Sequence, residues 1–433
     1  MKVFKFGGAS VKNADGFRNV SSIVSKYGKS EALVVVVSAT GKTTNQLEEL
    51  ISKKFSNPGE AMELLQAVKE KHLQIANELF GNIPADLAQQ IHEHCVEAEW
   101  VIEEDREMAY DYVYDQIICI GELISSRILS AWLQSNGNAI EWIDARSIIQ
   151  TDDTYRDARV QWEVTNDRIK NTLNPLLNAH KVVVTQGFIA SSAENNSTSL
   201  GREGSDYTAA ILSSALAADG MYIWKDVPGV LTADPDLYDH VTKLDRLSYT
   251  EAIEMTYYGC KVIHPKTIQP LKSKGIPLFV KSFLDPAAEG TLISDDLDLE
   301  YPPIVVLEDD QSLIHFSSKD LSFIAEHHLA HLFELFKKHR IKVNMMRNTA
   351  ISFSVCVRND PQRIKALIKE VEQDYKVLVD QDLELLTIRH YQDAMIPKLL
   401  EEKIVILEER IRKTLQMVVK NAPAIVPKKS GPN

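Results

Sequence analysis

Cysteine and long apolar runs are scarce in this chain of 433 residues. Its four cysteines are widely spaced and form no C-x-x-C pair, which excludes a disulfide framework and a cysteine-based zinc site and favours buried free thiols. The longest apolar stretch, residues 32–37, is far too short to span a bilayer, and the N-terminus shows no signal pattern. We therefore expect a cytoplasmic protein with no membrane partner.

Positive charge is also in short supply. The chain has 48 lysines and arginines against 61 aspartates and glutamates, a net charge of -13, and it has no arginine-rich run. This balance excludes a nucleic-acid partner that depends on a basic patch. With 44% hydrophobic and 25% charged residues, the composition is that of a soluble globular protein of two or three domains, for which small-molecule substrates fit better.

Short apolar runs alternate with helical patterns through residues 1–295. The runs predict buried parallel strands at 3–6, 33–37, 139–143, 182–185, 221–224 and 277–280. Strands that alternate with helices predict an α/β fold in which a mostly parallel sheet is sandwiched by helices. Residues 43–120 differ, since they are charged and helical in pattern without a strand signal, and we interpret them as a helical insertion beside the sheet.

A change of composition near residues 283–303 predicts a domain boundary. Beyond it the predicted order is strand 312–316, helix 324–339, strands 342–346 and 351–357, helix 361–374 and strand 375–379. This is the split β-α-β order of an α+β ferredoxin-like unit. Predicted strands at 383–388 and 415–419 would belong to a second, shortened module that ends at 420. Residues 421–433 carry no core pattern and are predicted to form a disordered tail.

Two motifs are suited to binding phosphate. KFGGAS at 5–10 follows the first predicted strand, and its paired glycines let backbone N–H groups face an anion beside Lys5. LGREGSD at 200–206 precedes an apolar-periodic segment, which places Ser205 or Asp206 at a helix N-terminus, where N–H groups and the helix dipole favour an anion or a metal-bound phosphate. Either motif alone is a common turn or cap, but two in one α/β chain indicate a phosphate site.

The two motifs belong to a longer series. In chain order the series is KFGGAS, VVVVSATGKTTN at 34–45, GE at 121–122, QGFI at 186–189, LGREGSD, WKDVPGV at 224–230 and GCKVIHPKT at 259–267. This order resembles the aspartate kinases of the amino acid kinase family, well over residues 1–295 and loosely beyond. The resemblance implies an amino acid kinase catalytic domain at 1–295 and an ACT-like regulatory region at 304–420.

The activity that this resemblance implies is ATP-dependent phosphorylation of the side-chain carboxylate of L-aspartate to 4-phospho-L-aspartate, the first step toward lysine, threonine and methionine. The cofactors would be ATP and Mg²⁺. A homodimer joined through the ACT-like region is also implied, because such modules commonly pair by joining their sheets edge to edge.

The resemblance further implies roles for individual residues. Lys5 would contact the transferring phosphoryl group, Asp206 would orient Lys5 and help to hold Mg²⁺, and Arg202 would bind the α-carboxylate of aspartate with its planar fork. Glu122 would meet the substrate ammonium. Further residues expected at the aspartate site are Ser38, Thr44 and Ser205, and those expected to contact nucleotide are Gly7, Gly8, Lys225, Asp226 and Lys261. Without the motif order, helix caps and surface ion pairs would be the simpler interpretation.

The chain departs from the common pattern of the family near the nucleotide end of the site. Lys225 stands in place of a threonine, Leu231 of a tyrosine, Asp236 of an arginine and Glu203 of a glycine. We therefore expect an altered nucleotide preference. We also expect the Glu203 side chain to point outward, although a part in metal binding is the other interpretation.

The ACT-like region departs from the family as well. His327-His328-Leu329 replaces a Gly-Phe-Leu turn and Asn344 replaces an aspartate, so inhibition by lysine or threonine is expected from the domain pattern alone. His327 and His331 are spaced by one helical turn, yet no carboxylate or cysteine pattern accompanies them. We interpret these histidines as a solvated helix face rather than a metal site.

Two alternatives to aspartate kinase stay open at this point. A related kinase could use glutamate, N-acetylglutamate or a nucleoside monophosphate as acceptor, since such relatives share the lysine beside a glycine turn. A catalytically weak amino-acid sensor could instead use the ACT-like region to bind an effector and signal to a partner. A dinucleotide-binding dehydrogenase is a remote alternative because no G-x-G-x-x-G follows the first strand.

Overall fold

The computed structural model describes residues 1–104, 108–179, 181–260, 263–295, 299–320 and 322–422. By compactness the chain forms two units. The first comprises Met1–Val230, Lys243–Thr256 and Lys261–Leu299, and the second comprises Leu231–Thr242, Tyr257–Cys260 and Glu300–Asn433. The predicted domains, 1–295 and 304–420, remain a prediction. Lys261 and most of the predicted disordered tail, residues 423–433, lie outside the described residues.

A mixed sheet forms the centre of the first unit. Its strands and a small hairpin are β1 (Lys2–Phe6), β2 (Leu33–Val37), β3 (Ile140–Ile143), β4 (Val182–Gln186), β5 (Ile189–Ser191), β6 (Ser197–Ser199), β7 (Gly220–Lys225), β8 (Arg246–Ser248), β9 (Leu278–Ser282) and β10 (Thr291–Ser294). Within the described ranges the sheet has the order β3-β4-β2-β1-β7-β9-β10-β8, and only β9 and β10 pair antiparallel. The predicted mostly parallel sheet is therefore confirmed.

Helices cover this sheet, which explains why its strands are apolar along their whole length. All five residues of β2, Leu-Val-Val-Val-Val, are buried, as expected for a parallel strand packed on both faces. The α-helices of residues 1–299 are α1 (Ala14–Gly28), α2 (Thr43–Lys54), α3 (Pro58–Phe80), α4 (Ala85–Glu103), α5 (Tyr110–Ile118), α6 (Ile120–Ser135), α7 (Ala145–Ile148), α8 (Trp162–Asn178), α9 (Gly204–Ala215), α10 (Tyr249–Tyr257) and α11 (Pro265–Lys272). On α1, Phe17 and Val20 belong to the same buried cluster as Phe4 and Phe6 of β1.

The segment predicted as a helical insertion consists of α2 to α5. These helices build a core of their own around Leu47, Leu50, Leu65 and Val113. The stretch Tyr110–Ser135, α5 with α6, is long and apolar enough to cross a membrane by length and composition, but 78% of its most apolar window is buried inside the molecule. It therefore has the burial of a core helix rather than that of a lipid-facing one.

The second unit contains an antiparallel sheet. Its elements are β11 (Ile304–Ser318), α12 (Glu326–Lys338), β12 (Val343–Asn348), β13 (Ser352–Arg358), α13 (Pro361–Val371), β14 (Tyr375–Arg389), α14 (Ile396–Leu399), β15 (Lys403–Ile411) and β16 (Thr414–Asn421). Short 3₁₀ helices lie at Gly8–Val11 in the first unit and at Asp393–Met395 here. In the described residues the sheet order is β12-β13-β11-β14-β16-β15. The β-α-β-β-α-β order of β11 to β14 confirms the predicted ferredoxin-like unit.

Several predicted boundaries in this unit are wrong. The strands predicted at 375–379 and 383–388 are one strand, β14, and β11 begins at Ile304 rather than 312. Strand β15 was not predicted, and β16 extends to Asn421, which the sequence assigns to the tail. Between β14 and β15 only short helices occur, so the interpretation of a shortened second module stays a prediction.

Side-chain environments bear on two further expectations. Cys95, Cys119 and Cys356 are buried thiols outside any disulfide, as expected, whereas Cys260 is only partly buried. His327 and His331 are exposed on α12, while the ring nitrogen Nδ1 of His328 accepts a hydrogen bond from the Ala325 N–H at 3.1 Å. Among the described residues no group of three or more potential ligands is placed to hold a metal ion.

Candidate active site

The candidate site lies where four parallel strands end. Strands β1, β2, β4 and β7 pair in parallel, so their C-terminal ends meet at one edge of the sheet. The N-termini of α2, α6 and α9 contribute Thr44, Glu122 and Asp206 to one cavity at this edge. Binding sites of open α/β sheets occur at this edge because the loops leaving the strands are free to vary there.

A buried ion pair lies at the centre of this edge. The Lys5 ammonium on β1 is 2.6 Å from the Asp206 carboxylate in the first turn of α9. Only 12% of the lysine side chain and 4% of the aspartate side chain are exposed. The pairing fixes the position of the ammonium and offsets the cost of burying each charge.

Glycines allow close contact between the loops around this pair. A Cβ at Gly8 would lie 2.8 Å from the carbonyl oxygens of Ala39 and Gly41, and the Gly41 N–H donates to the Gly8 carbonyl at 3.0 Å. At Gly187, after β4, a Cβ would lie 2.4 Å from the Cβ of Ser205 at the start of α9. Side chains at these positions would force the loops apart.

These elements surround a cavity of about 630 Å³. Predicted site residues that line it are Lys5, Ser38, Thr44, Glu122, Arg202, Ser205, Asp206 and Lys225. A Cβ at Gly7 would be 3.4 Å from the Lys5 ammonium nitrogen, so this glycine lies beside the cavity. Asp226 follows β7 but is not among the lining residues, and Lys261 lies outside the described residues.

Glu122 is the most perturbed acid in the cavity wall. Its side chain is 3% exposed, and one carboxylate oxygen, Oε1, accepts a hydrogen bond from the Ala39 N–H at 3.2 Å. The other oxygen, Oε2, is buried and has no hydrogen-bond partner in the described part of the chain. Burial raises the pKa of Glu122 from an ordinary 4.5 to about 8, although the backbone hydrogen bonds act in the opposite direction.

The cavity also contains residues that sequence reasoning missed. Glu48, Tyr114, Arg156 and Phe188 line it together with the predicted residues. The Tyr114 hydroxyl donates to Glu48 Oε1 at 2.8 Å, and the Arg156 guanidinium carbon lies 4.5 Å from the centre of the Tyr114 ring. These side chains come from the helical insertion and from a loop, and they meet only in the folded protein.

A buried carboxylate supports the loop that carries Arg156. Asp115 accepts hydrogen bonds from the Arg156 N–H at 2.9 Å and from the N–H and hydroxyl of Ser199 at 2.8 and 2.6 Å. Burial raises the pKa of Asp115 to about 6, against the lowering effect of these hydrogen bonds. Asp115 stands among the buried residues Tyr114, Ile117 and Ile118 of α5, and an acid in that apolar stretch was the available signal for this role.

The Glu203 side chain points into the cavity, so the expected outward orientation is wrong. Glu203 precedes α9 with φ of 54° and ψ of 28°, a left-handed conformation that glycine adopts more readily. Its side chain lines the cavity, and its Oε2 is buried without a hydrogen-bond partner among the described residues.

Comparison with known proteins identifies the family. The sequence model of the amino acid kinase family matches residues 1–282. Over 397 residues the chain is 31% identical to lysine-sensitive aspartokinase 3 of Escherichia coli, a match that covers 89% of this chain and 86% of that protein. The chain belongs to the aspartate kinases of the amino acid kinase family. This assignment confirms the resemblance of the motif series.

Solved structures of aspartate kinases extend the likeness to the whole fold. The crystal structure of E. coli aspartokinase III in complex with aspartate and ADP superposes with a TM-score of 0.83 at 28% identity, covering 97% of this chain and 96% of that chain. The complex of the same E. coli protein with lysine and aspartate gives a TM-score of 0.80 over the same shares. These likenesses do not favour a sensor or another acceptor.

The departures of this aspartate kinase from the common pattern occur in both units. Lys225 is the last residue of β7 and lines the cavity. Leu231 and Asp236 belong to the second unit and are not among the cavity residues. Lys225 and Glu203 are therefore the two of these four departures that line the candidate site.

Proposed function

We propose that this chain transfers the γ-phosphoryl group of ATP to the side-chain carboxylate of L-aspartate, giving 4-phospho-L-aspartate and ADP. The reaction starts the route to lysine, threonine and methionine. The observation that carries the proposal is the buried Lys5–Asp206 ion pair at the start of α9, inside a cavity that also holds Arg202 and Glu122. The proposal also rests on membership of the aspartate kinases.

The chemistry of this acceptor matches the side chains in the cavity. A carboxylate with an ordinary pKa near ~3.9 is already an ionised nucleophile at neutral pH, so the transfer requires no general base. It requires in-line positioning and positive charge, because the carboxylate and the γ-phosphate repel each other. The Lys5 ammonium, held by Asp206, supplies a fixed positive charge for the phosphoryl oxygens.

We propose that the α-carboxylate and the ammonium of the substrate bind to side chains of opposite charge in the cavity wall. Arg202 is exposed toward the cavity and can donate two parallel hydrogen bonds to the α-carboxylate. Glu122 offers its unpartnered Oε2 to the substrate ammonium. Ser38 follows β2, Thr44 lies in the first turn of α2, and Ser205 lies in the first turn of α9, so each brings a hydroxyl to the aspartate site.

The nucleotide is assigned to the glycine turn after β1 and to the end of β7. Gly7 and Gly8 present backbone N–H groups next to Lys5, and Lys225 adds a positive charge in the cavity wall. Asp226 and Lys261 are assigned to nucleotide contacts by the resemblance alone. Because Lys225 replaces a threonine of the common pattern, we expect nucleotide preference to depend on this residue.

Two carboxylates fit a magnesium ion that accompanies ATP. Asp206 and Glu203 belong to the same helix start, and Mg²⁺ prefers one or two carboxylates together with phosphate oxygens and water. Glu203 has a buried oxygen without a hydrogen-bond partner in the described ranges, as a cation ligand would. When bound, the ion would neutralise charge on the phosphate groups.

Assembly and location form a separate part of the proposal. Strands β12 and β15 end the six-stranded sheet of the described residues, and such open edges are suited to pairing with a second copy. We propose a homodimer joined through the ACT-like region and located in the cytoplasm. Sedimentation at micromolar concentration would give a dimer mass, whereas a clean monomer would refute the assembly.

The test of the proposed function is acyl-phosphate formation trapped with hydroxylamine. Aspartate, glutamate and N-acetylglutamate are compared side by side with ATP, with and without Mg²⁺. We expect hydroxamate from aspartate alone and only with the metal ion. Product from another acceptor, or no product from folded protein that still binds aspartate, would refute the proposal.

A further inference from the structure

The first unit has a second cavity, of about 560 Å³, that shares no lining residue with the candidate active site. It is lined by residues of β1, β7, β8, β9 and β10, by Tyr27 of α1 and by adjoining loop residues. A volume in this range is typical of sites for small molecules. Nothing in the proposed reaction uses these residues.

Aromatic rings form one wall of this cavity. Tyr222 on β7 and Phe279 on β9 are register partners, and their rings stack with centroids 4.5 Å apart and planes 10° apart. A Cβ at Gly220 would lie 3.2 Å from the Phe279 ring and 3.3 Å from the Tyr222 ring, so this glycine leaves the rings their space. Because the two rings face each other, a further aromatic ring can pack against the edges of this pair.

A largely buried lysine lines the same cavity. Lys281 on β9 is only 8% exposed, and its ammonium nitrogen lies 5.6 Å from the centre of the Trp224 ring. Within the described ranges it has no hydrogen bond and no ion pair. Burial lowers the pKa of Lys281, with a smaller contribution from Lys26. A lysine buried in this way is expected to have an anionic partner.

Charged groups of both signs line the cavity. Asp245, Glu289 and Arg246 belong to the lining together with Lys281, and Asp245 pairs with Lys243 at 2.6 Å. Lys2 is neutralised by Glu31 at 2.8 Å, and its ammonium lies 5.7 Å from the centre of the Tyr222 ring. The lining therefore offers both signs of charge, which suits a zwitterion.

We propose that this cavity binds an aromatic amino acid. Its ring would pack against the edges of the Tyr222–Phe279 pair, its carboxylate would pair with Lys281, and its ammonium would meet Glu289. The site would be distinct from the substrate cavity and would belong to the catalytic unit rather than to the ACT-like region. A nucleoside monophosphate shares the ring and the anion but lacks the ammonium.

The test is calorimetric titration of the full chain with L-phenylalanine and L-tryptophan. The comparison ligands are 3-phenylpropionate, which lacks the amine, phenethylamine, which lacks the carboxylate, and AMP. We expect both amino acids to bind at up to about 5 mM and the three comparison ligands to bind at least about tenfold more weakly. No binding of either amino acid, or tighter binding of AMP, would overturn the proposal.

Substitutions distinguish a specific binding site from a non-specific apolar cavity. Lys281→Met keeps the length of the side chain and removes its charge, and it should weaken phenylalanine binding at least about tenfold. Tyr222→Leu should weaken it independently through the ring, which keeps the test valid if one variant fails to fold. Lys170→Met, on an exposed part of α8, is the matched control and should change nothing. Unchanged affinity in folded Lys281→Met would overturn the proposal.

Discussion

The raised pKa of the buried Glu122 leads to a prediction about proton release when aspartate binds. In the free protein its pKa is about 8, because the carboxyl is buried with one oxygen unpartnered in the described part of the chain. If the substrate ammonium pairs with this group, aspartate must bind the ionised form. Binding of aspartate should therefore release a proton from Glu122 at neutral pH.

The magnitude follows from the raised pKa. With a pKa near 8, about half of the protein is ionised at Glu122 at pH 8 and about one per cent at pH 6. The dissociation constant of aspartate should thus weaken roughly fifty-fold from pH 8 to pH 6, which is about 2 kcal/mol. The number of protons released per aspartate bound should approach one at pH 6.5 and fall to about one half at pH 8.

Calorimetric titration in buffers of different ionisation enthalpy measures both quantities. Glu122→Gln keeps an oxygen for the Ala39 N–H but cannot ionise, so its affinity should be weaker at pH 8 and independent of pH. Glu163→Gln, on an exposed part of α8, is the control and should behave as the wild type. Proton release near zero at pH 6.5 together with a pH-independent dissociation constant would refute the reasoning.

The same group affects stability in the absence of substrate. Because the pKa of Glu122 is raised in the folded state, the folded protein holds a proton that the unfolded chain loses above pH 4.5. The free energy of unfolding should therefore fall as pH rises from about 4.5 to about 8, and Glu122→Gln should flatten that fall. Urea denaturation across this pH range provides the measurement.

Three substitutions test other parts of the site. Arg202→Ala should raise the KM for aspartate by about tenfold to a hundredfold with a smaller change in kcat, and an unchanged KM would contradict its role. Glu203→Gly should raise the free energy of unfolding by about 1 kcal/mol, because φ at this position is 54°, and a loss of stability in thermal denaturation would contradict this expectation. The same variant should need more Mg²⁺ for full activity, and an unchanged Mg²⁺ requirement would argue against a role of Glu203 in metal binding. Gly187→Ala should destabilise the fold by about 2 kcal/mol or more in urea and lower kcat, because its Cβ would overlap Ser205; wild-type stability would show that the loop can move.

Local sequence patterns predicted most of the first unit. Strand β2 is five apolar residues in a row and is buried on both faces, so its pattern and its environment agree. Strand β15 shows the opposite case. Ile404 and Ile406 are 51% and 40% exposed on this edge strand, so the alternation along it does not mark a buried face. Edge position depends on partners distant in sequence and cannot be seen locally.

Motif order predicted the centre of the candidate site but not its walls. Lys5 and Asp206 were expected together, and the structure pairs them. Tyr114 and Arg156 come into contact through the tertiary packing of an insertion helix and a loop, and no spacing in the sequence predicts this contact. The place of Glu203 in the cavity wall was missed because the left-handed turn before α9 in which it lies cannot be predicted from residue type.

The central claim is that the Lys5–Asp206 pair is the catalytic centre of an aspartate kinase. The most direct test measures kcat by the hydroxamate assay and the aspartate dissociation constant by calorimetry for Lys5→Ala and the wild type. Because the lysine acts on charge at the phosphoryl group, kcat should fall by about a hundredfold or more while the dissociation constant changes less than about threefold. A Lys5→Ala variant that keeps the wild-type kcat would contradict the account.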